Sequence, residues 1–432
     1  MAQVLPARGQ RMVHVIPVAF LMYTIAFIDR INIGVALPAM SKDLHLTATV
    51  GGLASGIFFI GYLILQIPGG HLAEKKSAKW LVFILLLIWG VFAILTGFVQ
   101  NVPQLLAVRF LLGLTEGGVW PATLVLLAHW FPQDERARAN NLWILCLPVA
   151  AAVASPVSGW ILSATQDNWR LLFAVEGIPP LIWAAVWALV IRDHPRDARW
   201  LGQDAEQKLE RQLEVERESR DRPELTSYRS ALTSGAVWLF IVVYFFSTIP
   251  GYGFTTFLPS LLKAHGIGIG TVGLLTALPF AASIIGLIVV GVLSDRIRHR
   301  RYWIAAPFVV VGVGVLVSLL TAGSLVGTIA LLTFAGLGLY AYLGPFWAGV
   351  DQVIPAGVVG GAMGLINALG NLGGFAGPYA VGALATRTGG FQAGFAFLGV
   401  CALIMAGLAM LIRVREGQAA KQAADVRRPA TE

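Results

Sequence analysis

Twelve long apolar stretches restrict what this chain can fold into. A helix that crosses the hydrocarbon core of a bilayer needs about 20 mostly apolar residues. Charged residues make up only 12% of the sequence, whereas a soluble domain averages about 25%. We therefore predict an all-α membrane protein with twelve transmembrane helices. The predicted spans cover residues 14–38, 50–73, 80–99, 104–128, 138–163, 171–191, 235–262, 270–293, 302–322, 324–347, 357–382 and 391–413.

A polar stretch at residues 192–234 separates six of these spans from the other six. We predict an N-terminal six-helix bundle over residues 1–191 and a cytoplasmic linker over residues 192–234. A C-terminal six-helix bundle with a short cytoplasmic tail then covers residues 235–432. Within the linker, the mixed charges and few apolar positions of DAEQKLERQLEVERESR predict a surface helix.

The same short motif follows the second span of each half. Residues 70–75 read GHLAEK and residues 291–296 read GVLSDR, so both fit G-x-L-[AS]-[DE]-[RK]. Parallel repeats of this kind build many transporters, with the site between the halves. A carboxylate at such a helix end can hold a neighbouring helix N-terminus in one state and release it in another. We predict a gating role for Glu74, Asp295 and Arg296.

The positions of the basic residues predict how the chain is oriented. Of the 31 Lys and Arg residues, 25 fall on the side that carries both termini and the linker. By the positive-inside rule, both termini are cytoplasmic, and we expect a multi-pass protein of the inner membrane. This distribution also explains the net charge of +8 without a nucleic-acid partner. The six remaining basic residues are Lys42, Arg170, Lys263 and Arg387 on the other side, and Arg30 and Arg109 inside spans.

Two adjacent charges, Asp29 and Arg30, lie near the middle of the first span. A charged side chain at the bilayer centre costs about 2.5–3.5 kcal/mol, so it faces a protein-lined cavity and has a partner. We interpret the pair as a functional site; the alternative is an ion pair that only fixes one helix against another. Because neighbours on a helix lie 100° apart, one side chain should face the cavity and the other a neighbouring helix.

The fourth span carries a second pair of charges, Arg109 and Glu116. Their separation of seven residues places them on the same face about 10 Å apart, and Gly113 between them is expected to leave room for a ligand. Their depth matches that of Asp29 and Arg30, so one cavity can contain all four charges. The sequence offers no nucleophile with a base and no metal-ligand cluster, so we expect no enzyme activity, no metal and no cofactor.

Three other spans carry interpretable polar or helix-breaking residues. In the seventh span, Pro250-Gly251-Tyr252-Gly253 predicts a hinge or an unwound segment. In the eleventh, Asn367 and Asn371 lie four residues apart on one face, where they serve either a ligand or interhelical hydrogen bonding. In the sixth, we expect Glu176 to partner Arg170. Cys146 and Cys401 both fall inside spans, so we expect no disulfide.

Several motifs together resemble a known family. The two G-x-L-[AS]-[DE]-[RK] loops resemble the major facilitator superfamily. FIDRINIGVALPAM, RFLLGLTEGG, NWRLLFAVEGIP, GPFWA and the glycine-rich segment around Asn367 are similar to its anion:cation symporter family. Two positions depart from the pattern: the first loop lacks the usual Asp, Gly and Arg, and the fifth span has Cys146-Leu147-Pro148 where some sugar-acid carriers have an amide.

The resemblance implies proton-driven uptake of small organic carboxylates by alternating access. It assigns proton handling to Asp29 and Glu116, with the proton as the coupling ion. It assigns substrate binding to Arg30, Arg109, Asn367 and Asn371. Tyr23 is one of the aromatic side chains expected at the cavity, and we predict that it also contacts substrate.

Charge chemistry leads to the same scheme. Arg matches a carboxylate with two hydrogen bonds, and protonating a nearby acid removes the competitor for that Arg. We favour a small or aromatic monocarboxylate over a sugar acid. An exporter of drugs or metabolites on the same fold is the main alternative, and a sensor is another. We expect a monomer in the lipid bilayer, with the small organic anion as its binding partner.

Overall fold

A computed structural model of the protein describes residues 7–218, 229–297, 299–321, 323–355 and 358–412. Throughout these ranges the regular secondary structure is helical, without strands. Within these described ranges, eleven helical segments are long and apolar enough to cross a membrane. The remaining predicted span, residues 357–382, corresponds to two shorter helices that meet at residues 371–372. The predicted fold class, twelve spans in two six-helix bundles, is confirmed.

The helices of the first half follow the predicted spans closely. They are α1 (Ala7–Asp43), α2 (Ala48–Lys75), α3 (Ala78–Thr96), α4 (Val102–Gly117), α5 (Val119–Trp130), α6 (Gln133–Ile144), α7 (Cys146–Ala164), α8 (Trp169–Glu176) and α9 (Ile178–Val190). The linker contributes α10 (Gln203–Glu218), which confirms the predicted helix there. Leu209 and Leu213 of α10 are buried against the first half, whereas Val215 is exposed.

The second half repeats this arrangement. Its helices are α11 (Gly235–Lys263), α12 (Ile269–Arg296), α13 (Arg300–Ser318), α14 (Leu325–Leu339), α15 (Leu343–Val353), α16 (Val359–Gly370), α17 (Gly373–Thr388) and α18 (Gln392–Ala409). The predicted tail beyond residue 412 and the linker residues 219–228 lie outside the described residues.

Local sequence explains where many of these helices begin. The side chains of Thr47, Ser77, Asn101 and Asn168 each accept a hydrogen bond from a backbone N–H in the first turn of α2, α3, α4 and α8. Such caps satisfy donors that the helix itself leaves unpaired. At the other end of α17, Gly389 adopts a φ of 73°, a left-handed conformation that ends helices and favours glycine.

Several spans consist of two helices that meet within the bundle. The breaks fall at Gly118, Leu145, Gly177, residues 340–342 and residues 371–372. Broken helices inside membranes occur where neighbouring protein satisfies the freed backbone groups. The unwound segment predicted at Pro250–Gly253 was wrong, because α11 runs through it without interruption, and the alternative of a hinge there stays a prediction. There the Thr255 hydroxyl donates to the Gly251 carbonyl at 2.7 Å, which illustrates how side chains support backbone groups near a proline.

The two ends of the bundle differ in how the halves meet. We call the end that carries α10 and the start of α1 the terminal face, and the end with the loops at residues 44–47 and 389–391 the far face. Near the far face, α2 packs on α17 so closely that a Cβ on Gly52 would overlap the Pro378 carbonyl. The Thr386 hydroxyl also accepts a 3.0 Å hydrogen bond from the Thr49 backbone N–H. The halves are therefore closed against each other at the far face.

Candidate functional site

A buried ion pair between Arg30 and Glu116 lies on the side of the first half that faces the second half. The distance from Arg30 Nη2 to Glu116 Oε2 is 3.0 Å. Arg30 is 6% exposed and Glu116 is 1% exposed, so bulk water screens the pair little. α1 carries the arginine and α4 the glutamate, so the two spans that sequence analysis singled out do meet.

Aromatic rings enclose the Arg30 guanidinium. Its carbon lies 4.8 Å from the ring centroid of Tyr62, 5.1 Å from Phe58, 5.5 Å from Phe27 and 6.0 Å from Tyr23. A cation over aromatic faces is stabilised by their quadrupoles. From the second half, the Tyr252 hydroxyl accepts a 3.3 Å hydrogen bond from Arg30 Nη1. Arg30 therefore lies where the two halves meet.

The ion pair leaves hydrogen-bonding capacity unused. Within the described part of the chain, Arg30 Nε and Glu116 Oε1 are buried and have no hydrogen-bond partner. Arg presents its donors in a fixed fork that suits a carboxylate with two oxygens. Arg30 thus contacts Glu116 through one nitrogen and one oxygen, and it retains a donor for another acceptor.

Asp29 points away from Arg30, as the helical geometry predicted. Its Oδ2 accepts a 2.6 Å hydrogen bond from Trp89 Nε1 on α3. Its Oδ1 is buried and lacks a partner among the described residues. Asp29 therefore faces a neighbouring helix within the first half, whereas Arg30 faces the interface between the halves.

Arg109 binds backbone oxygens of two neighbouring helices. It donates to the carbonyl oxygens of Ala54, Asp29 and Arg30 at 3.4, 3.4 and 3.5 Å. The room predicted beside Gly113 does not exist, because a Cβ there would overlap the Phe58 carbonyl of α2. This geometry makes Arg109 a positioning residue for α1 and α2, and its predicted contact with substrate stays a prediction.

The two asparagines of the eleventh span take part in a bond between the halves. Gln66 Nε2 on α2 donates to Asn367 Oδ1. Asn371 Nδ2 donates to the Asn367 backbone carbonyl at 2.8 Å and to its Oδ1 at 2.7 Å. In this conformation the amides form interhelical hydrogen bonds, which is the alternative that the sequence left open. Their contact with substrate stays a prediction.

Tyr23 lies behind Arg30 in an aromatic cluster. Its ring meets Trp120 edge-on at 5.0 Å and Trp143 edge-on at 5.2 Å between centroids. Tyr23 is 1% exposed, so it lines the wall of the guanidinium enclosure. Its substrate contact also stays a prediction.

The predicted pairing of Glu176 with Arg170 was wrong. Arg170 lies at the far-face end of α8 and pairs with Asp43, while its Nη2 donates to the Val99 carbonyl at 3.2 Å. Glu176 lies two turns deeper and accepts from Asn32 Nδ2 at 2.8 Å and from Ser158 Oγ at 2.7 Å. The two residues face different depths because six positions on a helix advance roughly 9 Å.

The predicted gate is described only in part. Glu74 belongs to the last turns of α2, and Arg296 is exposed at the end of α12. The side chain of Asp295 lies outside the described residues. A carboxylate that sequence analysis missed occupies a helix start here: Asp193 accepts from the Lys79 backbone N–H at 2.9 Å and from the Ser77 hydroxyl.

Sequence analysis also missed Asn32, Tyr62, Gln66 and Trp89. Each is a polar or partly polar side chain inside an apolar span, which is the signal that identifies them. A buried polar atom in a span needs a hydrogen-bond partner, so it marks a contact with another helix or a ligand. In the ranges that the structure describes, no three His, Cys, Asp or Glu residues group as metal ligands.

Twelve spans in two halves, with an ion pair buried where the halves meet, define a membrane transporter. The chain belongs to the Major Facilitator Superfamily, whose family model matches residues 19–378. The predicted resemblance is thereby confirmed. The descriptions of several relatives name an organic acid, which agrees with it.

Relatives and a solved structure match nearly the whole chain. A protein of Agrobacterium vitis described as "Putative tartrate transporter" is 29% identical over 402 residues, 92% of this chain and 89% of that one. The quinolone resistance transporter of Acinetobacter baumannii is 28% identical over 422 residues, 96% of each chain. The inward open xylose transporter XylE from E. coli has a TM-score of 0.77 at 14% identity and covers 96% of this chain and 99% of its own. That last likeness concerns the fold alone.

Proposed function

We propose that this transporter takes up a small organic carboxylate together with a proton. One observation carries the proposal: Arg30 is buried between the halves, pairs with Glu116 through a single N–O contact and keeps an Nε donor that has no partner among the described residues. An anion needs a cation in the cavity, and an arginine fork is the group best matched to a carboxylate. The Agrobacterium relative described as a tartrate transporter supports the substrate class.

The ion pair supplies the coupling mechanism. While Glu116 is ionised, it competes with the substrate carboxylate for Arg30. A proton on Glu116 removes its charge, so Arg30 is released for the anion and proton and anion bind together. Because both ligands favour the same state, each raises the affinity for the other by the same factor.

Other members of the cluster hold this arrangement in place. Arg109 ties the Asp29–Arg30 turn of α1 to α2 and α4 through backbone carbonyls. The Tyr252 hydroxyl reaches Arg30 from the second half, so binding at Arg30 is connected to the position of α11. The bond between Gln66 and Asn367 has to break when the halves separate at that point.

The distribution of basic residues and the family support the orientation and the mechanism of the protein. The protein works as a monomer in the inner membrane with both termini in the cytoplasm, without a cofactor, and the proton is its coupling ion. Substrate then enters by alternating access between the halves. The substrate is a small or aromatic monocarboxylate or a sugar acid.

An exporter of drugs or metabolites is the second candidate, because one relative is named a quinolone resistance transporter. The two directions are separated by expression in cells: an importer accumulates a labelled acid, whereas an exporter confers resistance to a toxic compound.

A thermal-shift screen of the purified protein tests the anion site. Organic acids should raise the melting temperature of the wild type, more at acidic than at neutral pH, since ligand binding stabilises the folded state. Arg30→Gln should lose this shift, and the carboxamide analogues of the same acids should give none with either protein. Stabilisation by neutral or cationic compounds in place of acids would contradict the proposal.

A further inference from the structure

The first half contains more buried acids than bases. Apart from the ion pair of Arg11 with Glu135, its buried residues include three carboxyl groups, Asp29, Glu116 and Glu176, and two guanidinium groups, Arg30 and Arg109. Each of these five side chains is at most 6% exposed. An isolated charge in such surroundings is so costly that the group takes its neutral form instead. One of the three carboxyl groups should therefore hold a proton.

Among the described residues, Glu116 is the one of these three carboxyl groups that contacts a guanidinium. Glu116 is paired with Arg30 at 3.0 Å. Arg109 donates to the backbone carbonyl oxygen of Asp29, whereas the Asp29 carboxylate accepts from the neutral Trp89 indole. Among the described residues, the hydrogen bonds of Glu176 come only from the neutral side chains of Asn32 and Ser158.

Among the described residues, the helices packed against α8 place no cation within hydrogen-bond distance of Glu176. α3, α7 and α9 contribute no Asp, Glu or His, and the Lys79 of α3 and the Cys146 of α7 lie at the terminal-face ends of their helices. α1 contributes Asn32 with Asp29 and Arg30 one turn earlier. Arg170, on α8 itself, is used by Asp43 and the Val99 carbonyl.

We propose that Glu176 is a proton-binding site of this transporter, held as the neutral acid between Asn32 and Ser158. The neutral acid of Glu176 can keep both of its hydrogen bonds. Oε1–H donates to Ser158 Oγ, whose own hydrogen turns to the carbonyl one helical turn earlier, a common arrangement for serine in a helix. Oε2 continues to accept from Asn32 Nδ2.

A second observation concerns the amide of Asn32, whose Nδ2 faces Glu176. Asn32 is 2% exposed, and its Oδ1 has no hydrogen-bond partner among the described residues. An unsatisfied buried acceptor costs about 1–3 kcal/mol. A proton on Oε2 of Glu176 supplies a donor to the Asn32 amide oxygen when that amide is turned over. The cluster thus accepts a proton on either oxygen of Glu176.

The depth of Glu176 indicates what the site does in transport, and this part rests on the proton coupling proposed above. Glu176 lies seven residues from the far-face start of α8, roughly 10 Å, whereas Asp29 lies 14 residues from the far-face end of α1, roughly 21 Å. A proton that enters from the far face reaches Glu176 before it reaches Asp29 and Glu116.

Infrared difference spectroscopy of the purified protein tests the site without a substrate. At neutral pH, the wild type should show the carbonyl-stretch band of a protonated carboxylic acid. Glu176→Gln should lose this band, and Asp29→Asn should keep it. Glutamine can retain the contacts with Asn32 and Ser158, so equal melting temperatures check the fold of the variant. Absence of the band in the wild type, or its persistence in Glu176→Gln, would overturn the proposal.

Proteoliposomes test the transport role. Glu176→Gln should lose anion accumulation driven by a proton gradient, while exchange of anion for anion stays at the wild-type rate. Equal accumulation by the variant and the wild type would overturn a role in coupling. A wild type that accumulates no anion would contradict the proposed function instead, and the infrared result would still decide whether Glu176 binds a proton.

Discussion

Tyr252 accepts a hydrogen bond from Arg30 at 3.3 Å, although 222 positions separate them in the sequence. The tyrosine belongs to α11 of the second half and the arginine to α1 of the first. Both lie at the level where the halves meet, and the Phe59 ring of α2 packs against Tyr252 at 4.3 Å between centroids. Any ligand that engages Arg30 therefore affects a contact between the two halves.

Removing the hydroxyl of Tyr252 should weaken anion binding. Tyr252→Phe keeps the ring against Phe59 but deletes the acceptor for Arg30. A hydrogen bond to a charged group contributes about 1.5–3 kcal/mol, and this one fixes the orientation of the Arg30 guanidinium before the anion binds. Because ordering that side chain would then be a cost of binding, we expect affinity for the carboxylate to fall about tenfold. Isothermal titration measures the change. Tyr379→Phe, at an exposed tyrosine of α17, is the matched control and should bind like the wild type.

Glu116→Gln should uncouple anion binding from proton binding. The amide imitates the protonated acid, so Arg30 is available to the anion at every pH. In the wild type, acidification protonates Glu116 and raises anion affinity, which is lost again as the pH rises. In the variant, affinity should be constant with pH and accumulation against a gradient should be absent. Glu135→Gln changes another buried ion pair, with Arg11, and should keep the pH dependence.

Arg109→Ala should destabilise the protein and abolish anion binding. Truncation leaves the carbonyl oxygens of Ala54, Asp29 and Arg30 without their donor and creates a cavity under Phe58. Costs of this kind amount to about 2–5 kcal/mol in total. Thermal unfolding with and without the acid measures both effects. Wild-type stability together with wild-type affinity would show that Arg109 does not position α1.

A bulky residue in the seam between α2 and α17 should open the far face. Gly52→Val places side-chain carbons where the Pro378 carbonyl lies. Spin labels on the exposed His45 and Arg387 should then report longer distances between the halves than in the wild type. Gly251→Ala is the control, because a Cβ at that position meets nothing within 4 Å. Unchanged distances in Gly52→Val would mean that α2 and α17 accommodate the valine without separating at the far face.

Parts of the site were predictable because charges in apolar spans are rare. Asp29, Arg30, Arg109 and Glu116 all proved buried in one cluster, and the opposed directions of Asp29 and Arg30 followed from the 100° step of a helix. The direction of each side chain did not, however, identify the residue with which it pairs. Gly113 predicted open space on α4, yet α2 fills it, since a glycine is compatible both with a ligand and with close helix contact.

The seventh and eleventh spans show the same limit. Pro250–Gly253 carries strong helix breakers but remains helical, whereas the eleventh span breaks at residues 371–372. Propensity is a weak prior when neighbouring helices can satisfy or compete for backbone groups. Likewise, Arg170 and Glu176 have complementary charges nearby in sequence, but their different depths on α8 give them different partners.

The number of spans, their division into two halves and the family were predictable from the amino-acid sequence, because apolar length and local motifs are properties of short segments. The pairing of Arg30 with Glu116, the binding of Arg109 to backbone carbonyls and the neutral partners of Glu176 became known from the folded structure. Those choices depend on distances between helices that are far apart in the chain. In a low-dielectric core, such distances decide which charges are paired and which are neutralised.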